Sequence, residues 1–230
     1  MKFMTYNVAG CVGRQDRFNS ERILRVIEEA DADVMALQEV YDPRGGGEFL
    51  AKLREMGFAT IHFGPAVRDQ EGHYGNALMI REGDGLVDEL DLSVSRKEPR
   101  SAIRANFSRG DWEIEVIATH LGLSPTERSE QIHRLSDWLG DSDQRMKVRF
   151  VLGDLNEWRW FSSCEKLIAR HFGVGERLRT FPSWFPIFGL DRILVSGDAE
   201  MAQFRWWRLN GPSVRAASDH LPLLMEWCGE

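Results

Sequence analysis

An acid and an amide directly follow a strand-like run in residues 149–158, which read RFVLGDLNEW. The apolar run from Val148 to Leu152 has the length of a buried strand, and Asp154 and Asn156 come just after it. Side chains two residues apart on an extended backbone point the same way, so this pair can meet one phosphate or one water. Gly, Asp and Asn also form ordinary turns, and this segment alone does not separate a turn from a reactive site.

Similar polar residues stand at the ends of the other strand-like runs. They are Asn7, Glu39, Tyr74 with Asn76, His120, Asp191, and Asp219 with His220. Taken singly, each is explained by a turn, a capped strand start or a core histidine with hydrogen-bond partners. Together, their carboxylate and amide oxygens suit Mg²⁺ or Mn²⁺, their imidazoles suit proton transfer, and their neutral donors suit phosphate oxygens. The set therefore indicates metal-assisted phosphoryl chemistry.

Several other classes of site have no support in the sequence. No P-loop, no GxSxG elbow and no GxGxxG motif before a suitable helix is present. The three cysteines, Cys11, Cys164 and Cys228, are far apart and in no zinc-binding spacing. NTPase, serine hydrolase, dinucleotide-binding and structural zinc interpretations are therefore disfavoured.

Composition indicates an ordinary globular protein. The chain has 230 residues, 43% of them hydrophobic, and no low-complexity linker, so we expect one domain over residues 1–230. The formal net charge of −7 disfavours loose binding to polyanions. The sequence has no signal-peptide pattern and no apolar run of membrane-spanning length. We therefore expect a cytoplasmic protein with a reduced set of thiols, and we expect a monomer.

Periodicity predicts strands and helices that alternate in both halves of the chain. Period-2 alternation from Tyr74 to His120 predicts an antiparallel meander, and Ser124-Pro125-Thr126-Glu127 is a helix start with a cap, an N1 proline and a capping-box glutamate. A helix capped by Asn19 or Ser20 is predicted from the apolar stripe at residues 23–27, and further helices are predicted near 48–56 and 162–170. The pattern favours an α/β fold, a four-layer sandwich in which two mixed, mostly antiparallel sheets pack face to face with helices outside.

The ordered motifs resemble those of the endonuclease/exonuclease/phosphatase superfamily. They are TYN at 5–7, LQE at 37–39, YGNAL at 74–78, THL at 119–121, GDLN at 153–156, LDRILVS at 190–196 and SDHLPL at 218–223. The resemblance extends along the whole chain. It implies a divalent-metal-dependent hydrolase that cleaves phosphoester bonds by in-line attack of water.

The resemblance also implies roles for the acidic groups. Glu39 resembles the main metal-binding carboxylate, with Asn7 beside it and Asp219 contributing through a second site or a water. Asp191 resembles the acid that orients His220, and His220 would be the general base on the attacking water.

Further roles follow from the same resemblance. Asp154 and Asn156 resemble the pair that positions the nucleophile and the phosphate, and His120 resembles a histidine that donates to the phosphate or leaving group. Tyr74 and Arg100 resemble additional phosphate-side donors. Asn76 stands where the deoxyribonuclease branch has a glutamate paired with the first histidine, so we expect His120 to stabilise charge rather than to act as a strong acid.

The substrate is the least determined point. Nucleic acid, single-stranded or short, is favoured by the basic residues between Arg96 and Arg109 and by Trp158 and Trp184, which could stack bases. Alternate arginines on a strand are equally explained as a solvated face. A phospholipid-type phosphodiester is the alternative, because the loop FPSWFPIF at 181–188 and RWW at 205–207 carry aromatics suited to a bilayer interface. Phosphomonoesters and a non-catalytic binding module also remain open.

Overall fold

The computed structural model describes residues 1–12, 18–43, 48–68, 72–83, 86–94, 97–140 and 147–228. Within them, two sheets form the centre of the molecule. The strands are β1 Lys2–Asn7, β2 Val34–Pro43, β3 Thr60–Arg68, β4 Gly72–Ile80, β5 Leu86–Asp91, β6 Ser101–Arg109, β7 Trp112–His120, β8 Lys147–Asp154, β9 Asp191–Gly197, β10 Phe204–Arg208 and β11 Leu223–Trp227. The helices are α1 Ser20–Ala30, α2 Glu48–Glu55, α3 Pro125–Leu139, α4 Ser163–Phe172 and α5 Pro212–Ala217.

Both sheets are mixed and mostly antiparallel, as the sequence predicted. The first has the order β10-β11-β1-β2-β4-β3 and the second the order β5-β6-β7-β8-β9. The parallel pairs are β1 with β2 and β7 with β8. A helix lies between the members of each parallel pair in the chain, as a parallel connection requires: α1 in the first and α3 in the second.

Three apolar clusters separate the four layers. The inner faces of the two sheets meet through a cluster that includes Phe3 and Phe150, whose ring centroids are 4.2 Å apart. On the outer face of the first sheet, a second cluster packs residues of α1, α2 and α5. On the outer face of the second sheet, a third cluster includes Ile132 of α3 and Ile168 of α4. The predicted four-layer α/β sandwich is confirmed.

Helix α3 shows how local sequence fixes an element. The Ser124 hydroxyl accepts from the backbone N–H of Glu127 at 3.2 Å, Pro125 occupies the first turn, and Gly140 follows the last turn with φ of 61°. These are the cap, the N1 proline and the terminal glycine that the sequence predicted. The helix therefore begins immediately after the strand that carries His120. None of the described helices is long and apolar enough to cross a bilayer.

The predicted meander is only partly correct. Strand β4 pairs with β2 and β3 in the first sheet, whereas β5, β6 and β7 form one antiparallel run in the second. The chain therefore passes from one sheet to the other after Ile80. Alternation of apolar and polar residues is the same in both sheets, so the pattern does not reveal this crossing. Helix α5 was not predicted at all.

Candidate active site

The polar strand ends meet at one edge of the sandwich. Asp154, at the end of β8, is in register with His120 of β7 on one side and with Asp191 of β9 on the other. From the facing sheet, Asn7 ends β1 and Glu39 lies in β2. The fold thus brings residues that are distant in sequence to a single location.

Two of these residues have an unusual backbone. Glu39 has φ of 57° and Asn156 has φ of 52°, in the left-handed region that side chains with a Cβ seldom adopt. Glu39 lies where the pairing of β2 with β4 shifts register between Leu37 and Val40. Such a bulge redirects a side chain away from the regular alternation of a strand. The strained backbone at these two positions therefore directs the Glu39 carboxylate and the Asn156 amide into the cleft.

Asn7 joins two of the carboxylates. Its Nδ2 donates to Glu39 Oε1 at 2.9 Å and to Asp154 Oδ2 at 3.1 Å, while its Oδ1 accepts from the Ala9 N–H at 3.0 Å. The amide nitrogen rather than the carbonyl oxygen therefore faces the two acids. A cation held between Glu39 and Asn7 requires the opposite orientation of this amide, which is available by rotation of the side chain.

Tyr74 completes the surroundings of Glu39. Its hydroxyl donates to Glu39 Oε2 at 2.6 Å. Burial and the adjacent Glu39 charge raise the pKa of Tyr74 well above its usual value, so the hydroxyl stays protonated and remains a donor.

His220 and Asp191 form a buried, hydrogen-bonded pair. His220 Nδ1 lies 2.9 Å from Asp191 Oδ2, and His220 Nε2 lies 3.6 Å from Asp154 Oδ2. Burial opposes protonation of the ring, but the Asp191 and Asp154 charges outweigh it and raise the pKa of His220 to about 10. Asp191 Oδ1 is buried without a hydrogen-bond partner among the described residues. Ligand atoms of Asp154, Asp191 and His220 all lie within 4.8 Å of one another.

His120 has the opposite electrostatic character. Burial lowers its pKa to about 3, with Arg100 and His220 adding to this effect and Asp154 opposing it. Arg100 Nη1 lies 3.3 Å from His120 Nδ1. A guanidinium only donates, so Nδ1 accepts from Arg100, while on the other side of the ring the Asn156 amide nitrogen lies 3.1 Å from Nε2. Nε2 also lies 3.6 Å from Asp154 Oδ2 and 4.0 Å from Glu39 Oε1, so this edge of the neutral ring faces both the Asn156 amide and the acidic groups.

These side chains line an open cleft of about 580 Å³. Its walls include predicted site residues from both sheets. They are Glu39, Tyr74, Arg100, His120, Asp154, Asn156 and His220. Asn156 is held by its own backbone N–H, which donates to Asp154 Oδ1 at 2.9 Å, and by its amide, which donates to the Leu121 carbonyl at 2.8 Å.

Other predicted residues lie elsewhere. Asn76 is buried behind the cleft, where its amide donates to the Ser101 carbonyl at 2.9 Å, so direct contact with substrate is not what this position provides. Asp219 is exposed, and its carboxylate accepts from the Ser218 hydroxyl at 3.4 Å, outside the network that joins Glu39, Asn7 and Asp154. Trp158 and Trp184 are exposed at loop positions and do not line the cleft.

Several supporting residues were not predicted from the sequence. Arg128 is fully buried, bonds Glu157 at 3.1 Å, and donates to the carbonyls of Gly122 and Leu123. This pair ties the loop after His120 to the loop after Asn156. Ser218 bonds the Asn7 carbonyl at 2.7 Å, which ties the His220 loop to the end of β1. Neither pairing can be read from local spacing, because each joins side chains through the tertiary fold.

Because the pKa values of His220 and His120 are shifted in opposite directions, we expect the two residues to have opposite pH effects on the stability of the metal-free protein. The raised pKa of His220 means that its protonated ring stabilises the fold below pH of about 6.5, and that this contribution is lost as pH rises through about 10. The lowered pKa of His120 means that its neutral ring contributes above pH of about 6.5, and that this is lost as pH falls towards 3.

Urea denaturation in EDTA checks the first of these effects. The free energy of unfolding of wild type minus that of His220→Asn should decrease between neutral pH and pH of about 10. The subtraction removes the titration of groups common to both proteins. A difference that does not change with pH contradicts the assigned charge on His220.

Comparison with known proteins agrees with this geometry. A family model described as the Endonuclease/Exonuclease/phosphatase family matches residues 4–220. The Escherichia coli K12 protein named "Uncharacterized protein YbhP" is 28% identical over 253 aligned residues, which cover 98% of this chain and 95% of that protein.

Solved structures share the fold. An endonuclease/exonuclease/phosphatase family protein from Leptotrichia buccalis has a TM-score of 0.78 and 16% identity, covering 99% of both chains. The catalytic domain of human Nocturnin with a bound sulfate anion has a TM-score of 0.74 and 20% identity, covering 99% of this chain and 94% of that one. With the family model matching almost the whole sequence, the chain belongs to the endonuclease/exonuclease/phosphatase family.

Proposed function

We propose that this protein is a divalent-cation-dependent phosphodiesterase that acts by in-line attack of water. The observation that carries the proposal is the convergence of Glu39, Asp154, His120 and His220, from both sheets, on one cleft. The contributing residues extend from Asn7 to His220, so residues 1–230 would form one catalytic domain.

The donor set fits a hard divalent cation. Glu39 and Asp154 are joined through the Asn7 amide, and ligand atoms of Asp154 and Asp191 lie within 4.8 Å of each other and of the His220 ring. Glu39 with a rotated Asn7 amide would hold Mg²⁺, or Mn²⁺ with similar ligand preference, and Asp219 would contribute from the exposed side. A cation bound there would supply positive charge to the phosphate oxygens and would offset part of the negative charge, from Asp191 and Asp154, that keeps His220 protonated.

The protein side chains provide the other catalytic functions. His220, once neutral, accepts a proton from water through Nε2, while Asp191 holds Nδ1 and stabilises the imidazolium that forms. Asp154 and Asn156 position the water and the phosphate. As the water oxygen bonds to phosphorus, the ester oxygen departs as an alkoxide that takes a proton from solvent. The Tyr74 hydroxyl is a neutral donor to the developing negative charge, and the neutral His120 ring is a second one through Nε2 when the Asn156 amide turns its oxygen towards that atom.

The substrate expected first from the sequence was nucleic acid, and the structure weakens one of its supports. Arg104 bonds both oxygens of Asp88 and lies 4.3 Å over the Trp138 ring. Arg100 is buried and bonds the Glu98 carboxylate at 2.7 Å. Arg96 lies outside the described residues. Arg104 and Arg100 are thus engaged within the protein, and a continuous track for a polyanion does not follow from them.

A lipid phosphodiester is the second candidate substrate. The supporting observation is that aromatic side chains in the loops bordering the cleft are exposed, among them Trp158 and Trp184. Phospholipids contain the same phosphodiester group as nucleic acids, but they present it at the surface of a bilayer rather than along a flexible chain.

Metal dependence and substrate class can be tested together. Purified protein should hydrolyse bis-p-nitrophenyl phosphate with added Mg²⁺ or Mn²⁺, and EDTA should reduce turnover by at least about 100-fold. Short single-stranded DNA and RNA, supercoiled DNA and phospholipid dispersions then rank the natural classes. Turnover that persists unchanged in EDTA after exhaustive dialysis contradicts the proposed chemistry.

A further inference from the structure

Two loops beside the cleft expose large apolar side chains. Phe161 is 94% exposed, Phe185 62% and Trp184 56%. We call the whole set the aromatic rim. It consists of Trp158, Trp160 and Phe161 in the first loop and Trp184, Phe185 and Ile187 in the second, all of them exposed. Single exposed apolar residues need no explanation, but six of them in two short loops mark an interaction surface.

The two loops form one structure at the opening of the cleft. The Trp158 ring lies 6.0 Å from the Phe188 ring, at the end of the second loop. Arg177 links them further, because it donates to the carbonyls of Arg159 and Gly189, each at 3.3 Å. Asn156, which lines the cleft, precedes Trp158 by two residues along the chain. The rim therefore continues directly from the wall of the active site.

Positive charge is placed among the aromatic rings. The Arg159 guanidinium lies 5.1 Å from the Trp158 ring centroid, and that of Arg177 lies 4.5 Å from the Trp160 ring centroid. Arg159 is exposed, so its charge is available to a phosphate at the same level as the rings. Tryptophan with arginine is the combination found where a protein meets lipid headgroups.

The composition of the surface favours a bilayer over a nucleic acid strand. Leu123, which lines the cleft, and Ile187 of the rim are both exposed. Such aliphatic side chains gain from insertion among acyl chains but offer no flat face to a base. Arg104 of β6 and Arg100 just before it, which would follow a nucleic acid backbone, are engaged within the protein. The net charge of −7 disfavours a strongly anionic membrane as well.

We propose that the aromatic rim docks on the surface of a zwitterionic phospholipid bilayer and so presents the headgroup phosphodiester to the cleft. The proposal rests on the phosphodiesterase function proposed above and names phospholipid as its substrate class. The cleft of about 580 Å³ opens beside the rim, so a headgroup can enter while the acyl chains stay in the membrane.

Co-sedimentation with phosphatidylcholine vesicles tests the docking surface. Wild type should sediment with the vesicles, and the double variant Phe161→Ser/Phe185→Ser should lose about 10-fold or more in apparent partition constant. Met201→Ser is the matched control, because Met201 is also an exposed apolar residue but precedes the start of β10, at the opposite end of the sheet from His220. Its partitioning should equal that of wild type.

Activity separates failure of this proposal from failure of the proposed function. The double variant should turn over soluble bis-p-nitrophenyl phosphate at the wild-type rate and lose activity only on vesicles. The membrane proposal is overturned if wild type does not sediment with vesicles. It is also overturned if the double substitution leaves vesicle binding unchanged and instead abolishes binding to single-stranded DNA or converts a wild-type dimer into monomers. Vesicle binding without any turnover of the soluble ester overturns the phosphodiesterase function and leaves the docking surface standing.

Discussion

Replacement of His220 with alanine is expected to lower kcat by about 10²–10⁴-fold at saturating Mg²⁺, the usual contribution of a general base. This corresponds to roughly 3–5 kcal/mol of lost transition-state stabilisation. The physical reason is that His220 Nε2 is the imidazole nitrogen left free in the cleft once Asp191 holds Nδ1 at 2.9 Å. Steady-state kinetics on bis-p-nitrophenyl phosphate measures the effect, and KM should change much less than kcat.

A matched histidine provides the control for this experiment. His133 is exposed on α3, on the outer face of the second sheet, and His133→Ala should retain wild-type kinetics. Circular dichroism and a thermal melt establish that His220→Ala is folded. If a folded His220→Ala protein kept near wild-type kcat with Mg²⁺ present, another group would have to be the base.

Glu39→Gln is expected to reduce kcat/KM by about 100-fold or more at millimolar Mg²⁺, since loss of a direct ligand should cost at least as much as loss of the groups that orient one. The substitution keeps the shape of the side chain but removes the charge from the carboxylate that Asn7 and Tyr74 contact at 2.9 and 2.6 Å. Part of the lost activity should return at high Mg²⁺ or Mn²⁺, because the remaining oxygen ligands still bind weakly.

Thermal stability distinguishes metal binding from a general structural role for Glu39. Added Mg²⁺ should raise the melting temperature of wild type, by an amount set by the ratio of its concentration to Kd, and should raise that of Glu39→Gln much less. In EDTA the variant should be at least as stable as wild type, because it removes one of several clustered negative charges. Glu28→Gln on the exposed face of α1 is the control. An equal Mg²⁺-induced shift in wild type and Glu39→Gln contradicts a ligand role.

The sequence was sufficient to predict the architecture and the proximity of four of the named polar residues. Apolar runs that end in polar residues predicted the strands, and the order of the motifs predicted that Asn7, Glu39, Asp154 and His220 would converge. The structure brings Asn7 into contact with Glu39 and Asp154, and His220 to within 3.6 Å of Asp154. This succeeds because strand ends of stacked sheets occupy a common edge, so a local signal has a predictable location.

Other features depended on tertiary contacts that local patterns do not contain. The alternation of β4 resembles that of β5, yet the two strands belong to different sheets. Asn76 resembled a partner for His120, but the register of β4 places its amide on the Ser101 carbonyl, and Arg100 takes the position beside the His120 ring. The arginines of β6 were compatible with either a substrate track or a solvated face, and the positions of Asp88 and Trp138 decided the matter for Arg104.

The left-handed backbone at Glu39 and Asn156 places folding stability and catalytic rate in conflict at these two residues. Each conformation costs about 1–3 kcal/mol that glycine would largely recover. A glycine at either position would relieve the backbone strain but would remove the Glu39 carboxylate or the Asn156 amide from the cleft. Selection for a more stable protein and selection for a faster enzyme would therefore favour different residues at these two positions. The packing of the surrounding sheets holds the strained backbone in place.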